Sequence, residues 1–247
     1  MEYLIIGYGR ISSNIIKKID NQIWKDDITF SIVSRHLENI KKTESVKSIN
    51  IMKNKIDIEG ENIILTIPPS SFDEVSKKFV GQANTVISFL PEKNIKKLKS
   101  KINSKEYLRV MPNISLGIES SINYLYTEDI LSGNTKSFLL NIGNLKIIKT
   151  EEEFEETIIP FSVMPAIFSK IFEDILDNLS NKENKENIRT NLLDGLESYI
   201  NSSKEMNNQE IITSISTKNG ITEKILKKYQ ISNIPKELKF ILKNKIN

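Results

Sequence analysis

Glu2-Tyr3-Leu4-Ile5-Ile6 runs straight into Gly7-Tyr8-Gly9, and Arg10-Ile11 then opens a stretch in which Ile11, Ile15, Ile16 and Ile19 recur at helical spacing. An apolar strand that breaks into two glycines and then a helix is how a dinucleotide fold receives a pyrophosphate. The glycines permit a sharp turn and a close approach of backbone to phosphate. The helix amino end adds free N–H groups and the positive end of a dipole. The third glycine of this fingerprint is missing, and Ser12 and Ser13 stand where it would fall. Strand-to-helix turns with two glycines also occur in α/β proteins that bind no nucleotide.

Working outward, strand and helix signals alternate through the first 150 residues. Ile28 to Val33, Ile63 to Ile67, Thr85 to Leu90, Tyr107 to Val110 and Ser121 to Tyr126 read as strands, and the short Leu145 to Ile148 run as an edge. Ser71-Phe72-Asp73-Glu74 has the pattern of a capping box opening a helix through Val75, Phe79 and Val80, and a Lys-rich helix follows near Asn94 to Ser100. The pattern predicts an α/β fold, a Rossmann-type, doubly wound, mostly parallel sheet over residues 1–150. Beyond Thr150 strand signals almost vanish. Ile167, Phe168, Ile171, Phe172, Ile175 and Leu176 form a wide apolar helical stripe. After the polar segment Asn181 to Asn187, helices are expected at 188–200, 210–214, 222–229 and 235–245. Residues 151–247 are therefore expected to be an all-α dimerisation domain, since helices with such broad apolar faces suggest pairing with another subunit.

Composition narrows the function classes. The chain has 247 residues, enough for a real core, and its 35 Lys+Arg against 32 Asp+Glu leave a formal charge of only +3. That balance argues little for nucleic acid, the basic residues are scattered, and no nucleic-acid partner is expected. With no cysteine there is no disulfide, zinc–thiolate site or thiol nucleophile, and one histidine leaves no multi-histidine metal site. No metal is expected. A first strand at residue 2 leaves no room for a leader, and no apolar run is long enough for a bilayer, so the expected location is cytoplasmic, away from membranes.

The second strand ends in Ser34-Arg35-His36. Proteins that hold NAD place an acidic side chain near this point for the ribose 2′-hydroxyl, whereas an arginine accommodates the 2′-phosphate of NADP. The planar guanidinium and the Ser34 hydroxyl supply donors for that phosphate, so the chain reads as a binder of NADPH/NADP; the plainer alternative is an exposed arginine after a strand. Glu38 reads as part of a following helix and a poor ribose ligand. Ile67-Pro68-Pro69 follows a strand's carboxyl end, where open α/β sheets bind ligands, although a proline can simply end a strand. Arg109-Val110-Met111-Pro112-Asn113 has the same character, with Asn113 either donating to a nicotinamide amide or holding a structural turn.

Taken in order, Gly7-Tyr8-Gly9, Ser34-Arg35, Ile67-Pro68-Pro69 and Arg109 to Asn113 resemble the pyrroline-5-carboxylate reductase family. Downstream, Ser216-Thr217-Lys218-Asn219-Gly220-Ile221-Thr222 resembles that family's Ser-Pro-Gly-Gly-Thr-Thr loop, with Glu210 and Ile215 at matching spacing before it. The resemblance covers nearly the whole chain. It implies hydride transfer from NADPH to the carbon of a cyclic imine, Δ1-pyrroline-5-carboxylate giving proline, with the substrate between two domains. It also implies that the Asn219-Gly220-Ile221 segment holds the substrate carboxylate through backbone N–H groups, with Gly220 and Ile221 lending the amides, and that Thr222 hydrogen-bonds the imine nitrogen as the catalytic residue. The further implication is a homodimer or higher homo-oligomer built through the helical part. Alone, Thr222 also reads as the N-cap of a helix beginning at Glu223.

Departures from the family pattern are concentrated around the substrate. Phe161-Ser162-Val163-Met164-Pro165-Ala166 stands where the family shows Ser-Gly-Ser-Gly-Pro-Ala, Lys218 and Asn219 replace a proline and a glycine, Ile221 replaces a threonine, and Ile114-Ser115 replace Thr-Pro. A reductase for a different imine, or a dinucleotide-binding paralogue without efficient turnover and with a regulatory role, fits the same residues. Lys170 is the one candidate base for a hydroxyacid dehydrogenase. The Lys93 to Lys105 stretch reads as a solvated helix face, and Glu151 to Glu156 as carboxylates pointing around a helix and favouring its amino end rather than converging. Trp24 reads as a packing residue and Leu238, Phe240, Ile241 and Leu242 as a docking stripe.

Overall fold

The computed structural model describes residues 1–22, 27–116, 121–177 and 185–232. Trp24, the 235–245 helix with its Leu238, Phe240, Ile241 and Leu242 stripe, and residues 181–184 of the polar segment lie outside the described residues. Contacts divide the chain into two units, Met1–Ala166 and Ile167–Asn247.

In the first unit, β1 (Glu2–Ile6) leads into α1 (Arg10–Asp20), and then come β2 (Thr29–Ser34), β3 (Val46–Ile51), β4 (Ile56–Asp57), β5 (Asn62–Leu65), α2 (Phe72–Ser76), β6 (Phe79–Val80), β7 (Ala83–Ser88), α3 (Ile95–Lys99), β8 (Ser104–Pro112), β9 (Ile122–Thr127), α4 (Gly133–Asn141), β10 (Asn144–Ile147) and α5 (Glu151–Ile158). Eight strands form one sheet in the order β10-β9-β8-β7-β5-β1-β2-β3, and β4 pairs with β6 in a small parallel ribbon. All neighbours in the large sheet are parallel except β8 and β9, so β9 and the edge strand β10 run against the rest. The chain leaves β1 toward β2 and β3 on one side and continues from β5 to β7 and β8 on the other. Strand order reverses at β1, and open α/β sheets bind ligands outside the carboxyl end at such a point.

The strands are apolar on both faces because helices cover both. Tyr3 and Ile5 join Ile15, Ile16 and Ile19 of α1 and Phe138 and Leu139 of α4, with the Tyr3 and Phe138 rings stacked at 4.2 Å. Leu4 and Ile6 face the other way, onto Phe72, Val75, Leu98 and Phe154. At the amino end of β8 the buried Glu106 carboxylate accepts hydroxyl bonds from Thr85 (2.9 Å) and Thr135 (3.1 Å) and the Ser132 amide (3.0 Å). This ties β7 and β8 to the start of α4, so a charge that burial would otherwise penalise is satisfied.

Local expectations need three corrections. The Ser71 to Glu74 capping box does not form: Ser71 has helical backbone (φ −85°, ψ −10°) and makes no side-chain cap, the helix stops at Ser76, and Phe79 and Val80 form β6 instead. An N-cap needs extended backbone for its oxygen to reach back, and a 3₁₀ turn at Pro69–Ser71 takes that option away. No helix follows β2; Glu38 lies in a turn before β3. The helix α4 is invisible in the pattern because Gly133-Asn134-Thr135-Lys136-Ser137 carries no apolar period before Phe138 and Leu139.

A π-helical turn, Ile159–Val163, separates α5 from α6 (Met164–Asp177). In the second unit, α7 (Lys185–Ser202), α8 (Asn208–Ile215) and α9 (Ile221–Ile231) follow. Among the described residues of that unit Leu176 is the one buried hydrophobic side chain, while Leu193, Ile200, Ile215, Ile221, Ile225 and Tyr229 are exposed.

Candidate functional site

The turn at the end of β1 is built as its glycines demand. Gly7 has φ +93°, and a Cβ there would lie 2.7 Å from Ile67 Cγ2 and 3.1 Å from its backbone nitrogen, so only glycine fits. Its N–H donates to the Val33 carbonyl (2.8 Å), and its own carbonyl accepts the Thr66 hydroxyl (3.0 Å). The turn is thus braced from β2 on one side and from the loop after β5 on the other. Ile67 packs beneath Gly7, while Pro68 and Pro69 set the following 3₁₀ turn. At Gly9 a Cβ would meet nothing within 4 Å, so the backbone is open to approach.

Ser12 explains how α1 does without the third glycine. Fully buried, its Oγ accepts the Gly9 N–H (2.8 Å) and donates to the Gly9 carbonyl (3.1 Å). The amides of Arg10 and Ile11, in the first turn, have no intrahelical acceptor and remain donors at the positive end of the helix. Tyr8 packs its half-buried ring against the α1 core.

Across the turn, the buried Ser34 hydroxyl accepts the His36 amide (3.4 Å) and the exposed Arg35 donates from Nη2 to Ser71 Oγ (3.3 Å). Since β2 and β5 flank β1, this last bond spans the carboxyl end of β1 above the glycine turn. Neither Thr66 nor Ser71 stands out in the sequence, because an isolated hydroxyl carries no pattern.

At the carboxyl end of β8, Asn113 accepts the Ser115 amide on Oδ1 (3.1 Å) and the Leu116 amide on its carbonyl (3.1 Å), which is the structural-turn alternative for this residue. Its side-chain nitrogen makes no bond among the described residues. Nearby, the π-helical turn sets Phe161 edge-on to Tyr124 (4.3 Å between centroids) and the Ser162 hydroxyl against Met111 sulfur (3.0 Å). Single π turns inside helices often mark functional positions.

Arg109, in contrast, is wholly buried and structural. Its Nη1 donates to Glu151 (2.9 Å) and Glu155, its Nη2 to the Pro91 carbonyl (2.6 Å), and its guanidinium lies 4.6 Å from the Phe154 ring centre. Two of the carboxylates between 151 and 156 therefore do converge, four residues apart on one helix face, and they do so on an arginine. Glu151 also accepts the Ile95 amide at the start of α3 (2.8 Å). No group of three or more His, Asp or Glu among the described residues lies where it could hold a metal.

In the second unit, Ser216 to Thr222 spans the turn between α8 and α9 and the first two residues of α9. Asn219 takes φ +65°, the left-handed conformation that asparagine tolerates, and a Cβ on Gly220 would strike Thr217 Oγ1 at 2.3 Å. Loss of the family's glycine at 219 therefore leaves the left-handed turn in place. The helix begins at Ile221 with Gly220 as N-cap, so Thr222 is its second residue and not the cap expected from the pattern. Its hydroxyl makes no bond among the described residues. The Gly220 amide donates to the Thr217 carbonyl (2.9 Å), and the Asn219 amide donates to the Glu223 carboxylate, which Lys227 also holds (2.8 Å). The Lys227 ammonium and then that amide keep the Glu223 carboxyl below the usual carboxylate range. The Ile221 and Thr222 amides, in the first turn of α9, have no intrahelical acceptor. On α6, Lys170 pairs with Glu173 (2.9 Å) and Asp174 (3.0 Å), and both raise its pKa, so it stays protonated and is no poised base.

Sheet order, glycine turn and following helix define a Rossmann-type, dinucleotide-binding fold joined to a helical unit. No protein-family model matches the chain. It is 25% identical over 185 residues to the pyrroline-5-carboxylate reductase of Helicobacter pylori strain J99, covering 72% of this chain and 71% of that protein. Among solved structures, 1-pyrroline-5-carboxylate reductase of Streptococcus pyogenes superposes with a TM-score of 0.73 at 20% identity, over 100% of this chain and 96% of that one. The Plasmodium falciparum pyrroline carboxylate reductase with NADP bound gives 0.62 at 18% identity, over 99% and 94%. A reductive aminase of Aspergillus terreus in complex with NADPH and ethyl levulinate gives 0.61 at 10% identity, over 81% and 74%. The chain thus resembles the pyrroline-5-carboxylate reductases in sequence over 72% of its length and shares its fold with solved members.

Proposed function

We propose that this chain is an NADPH-dependent reductase of a cyclic imine, with Δ1-pyrroline-5-carboxylate, yielding proline, as the first substrate to test. At the coarser level, an NAD(P)-dependent reductase like the pyrroline-5-carboxylate reductases, the reading is supported by the sequence relationship to the Helicobacter protein and by neighbours solved with NADP or NADPH. The observation that carries it is the open glycine turn with an arginine reaching across it.

The residues fit a phosphorylated dinucleotide. Gly9 leaves space on the turn, the Arg10 and Ile11 amides have no intrahelical acceptor in the first turn of α1, and Ser34 and Arg35 stand at the end of β2. Bound there, NADPH supplies the hydride. The protein's task is to place the ring against the nicotinamide, since a protonated imine is already electrophilic, hydride transfer neutralises its charge, and no acid–base dyad is needed. The Thr222 hydroxyl, without a bond among the described residues and at the start of α9, serves the imine nitrogen, and the Ile221 and Thr222 amides serve an anionic substituent. The exposed apolar positions of the second unit support assembly with further copies of the chain.

A second reading, reduction of an imine without a carboxylate, is favoured by one observation: Glu223 already places a carboxylate on the Asn219 amide. NADPH oxidation measured with Δ1-pyrroline-5-carboxylate and with unsubstituted Δ1-pyrroline separates the two by their kcat/KM ratio. Tight NADPH binding with no turnover on any cyclic imine would instead point to the non-catalytic paralogue. For the cofactor, Arg35→Glu is expected to weaken NADPH about 10- to 100-fold while changing NADH by less than about 3-fold. Fluorescence titration with both carriers checks this, and equal losses would show that Arg35 does not read the 2′-phosphate.

A further inference from the structure

Ser71 is the hydroxyl in the crevice that the proposed chemistry does not use. It closes the 3₁₀ turn that Pro69 opens, 36 residues from Arg35, and strand order alone brings the two together across β1. An arginine on an exposed strand end has many rotamers, and holding a guanidinium in one place costs entropy at the moment of binding. A fixed acceptor on the opposite wall removes part of that cost beforehand.

We propose that Ser71 is a positioning residue for the adenosine phosphate of the cofactor. By accepting one Nη2–H of Arg35, it holds the guanidinium over the glycine turn, with the remaining N–H donors free for phosphate oxygens. Selection for the phosphorylated carrier is then shared by two walls of the crevice: Arg35 and Ser34 from β2, and Ser71 from the loop after β5. The 3₁₀ turn makes Ser71 a firm anchor, since Pro68 and Pro69 restrict the backbone leading into it and the Ser71 amide bonds the Pro68 carbonyl (2.9 Å). This inference rests on the NADPH reading of Arg35 and deepens it.

The test is a titration of the full chain with NADPH and NADH for Ser71→Ala, Ser71→Thr, Arg35→Glu and the Arg35→Glu/Ser71→Ala double variant. Ser71→Ala is expected to raise the Kd for NADPH about 3- to 10-fold and to leave that for NADH unchanged. Ser71→Thr, which keeps the hydroxyl, should restore it. In the Arg35→Glu background the serine change should have no further effect, because the two residues act as one unit. If Arg35→Glu shifts the NADPH:NADH ratio but Ser71→Ala does not, or if both carriers weaken alike with Ser71→Ala, the positioning role is overturned and the cofactor reading stands. If Arg35→Glu leaves that ratio untouched, the 2′-phosphate reading falls and the role of Ser71 with it.

Discussion

Thr222→Val is expected to lower kcat/KM for the imine by about 10²–10⁴, with NADPH affinity nearly unchanged. Valine keeps the shape of threonine and removes one hydroxyl. That hydroxyl makes no bond among the described residues, so its loss leaves no partner stranded, and the start of α9 rests on Gly220, Glu223 and the Asn219 amide instead. The substitution therefore tests chemistry and not folding. A loss near the upper end would mean that the hydroxyl takes part in proton delivery to the imine nitrogen; one near the lower end, that it mainly orients the ring. Steady-state kinetics beside a cofactor titration decide it, and full activity in the variant would remove Thr222 from the mechanism.

Arg109→Met is expected to cost about 2–4 kcal/mol of stability, a fall in Tm of roughly 5–15 °C. The guanidinium is fully buried and satisfies Glu151, Glu155 and the Pro91 carbonyl while packing on Phe154. Methionine fills much of the volume but takes the cation from two carboxylates, of which Glu151 keeps the Ile95 amide, and the donor from the Pro91 carbonyl. Water reaches both acids, which stay 25% and 35% exposed, so the cost falls short of that of a fully buried charge. Replacing Glu151 and Glu155 by leucine in the same variant should recover a large part of the loss, as exchanging a buried ion cluster for apolar groups commonly does. Thermal unfolding followed by circular dichroism measures both. An unchanged Tm in Arg109→Met would show that the Arg109 ion pairs add nothing to the docking of α5.

Much of the fold was legible because its signals are local. Apolar runs of four to six residues ended by turn residues gave β1, β2, β5 and β7, and the i, i+4 isoleucines gave α1. The missing pieces had weak local signals. The partly exposed edge strand β3 has little clean alternation, α4 lacks an apolar period in its first turn, and Ser71 to Val80 carries a capping pattern that the preceding prolines override. Of the candidate site, the glycine turn and Arg35 could be read from their place after strands. The partners of those residues could not.

What the amino-acid sequence determined alone is the strand, glycine turn and helix at residues 2–20 and the arginine that ends the next strand, since φ preference, periodicity and side-chain charge act between near neighbours. Tertiary structure decided which distant groups those residues meet. Ser71 reaches Arg35 across 36 residues, and Glu151 and Glu155 reach Arg109 across 42 and 46. The reason is geometric: a parallel sheet places next to one another strands that are far apart in the chain, and a single hydroxyl or carboxylate acquires its role from the neighbour the strand order supplies.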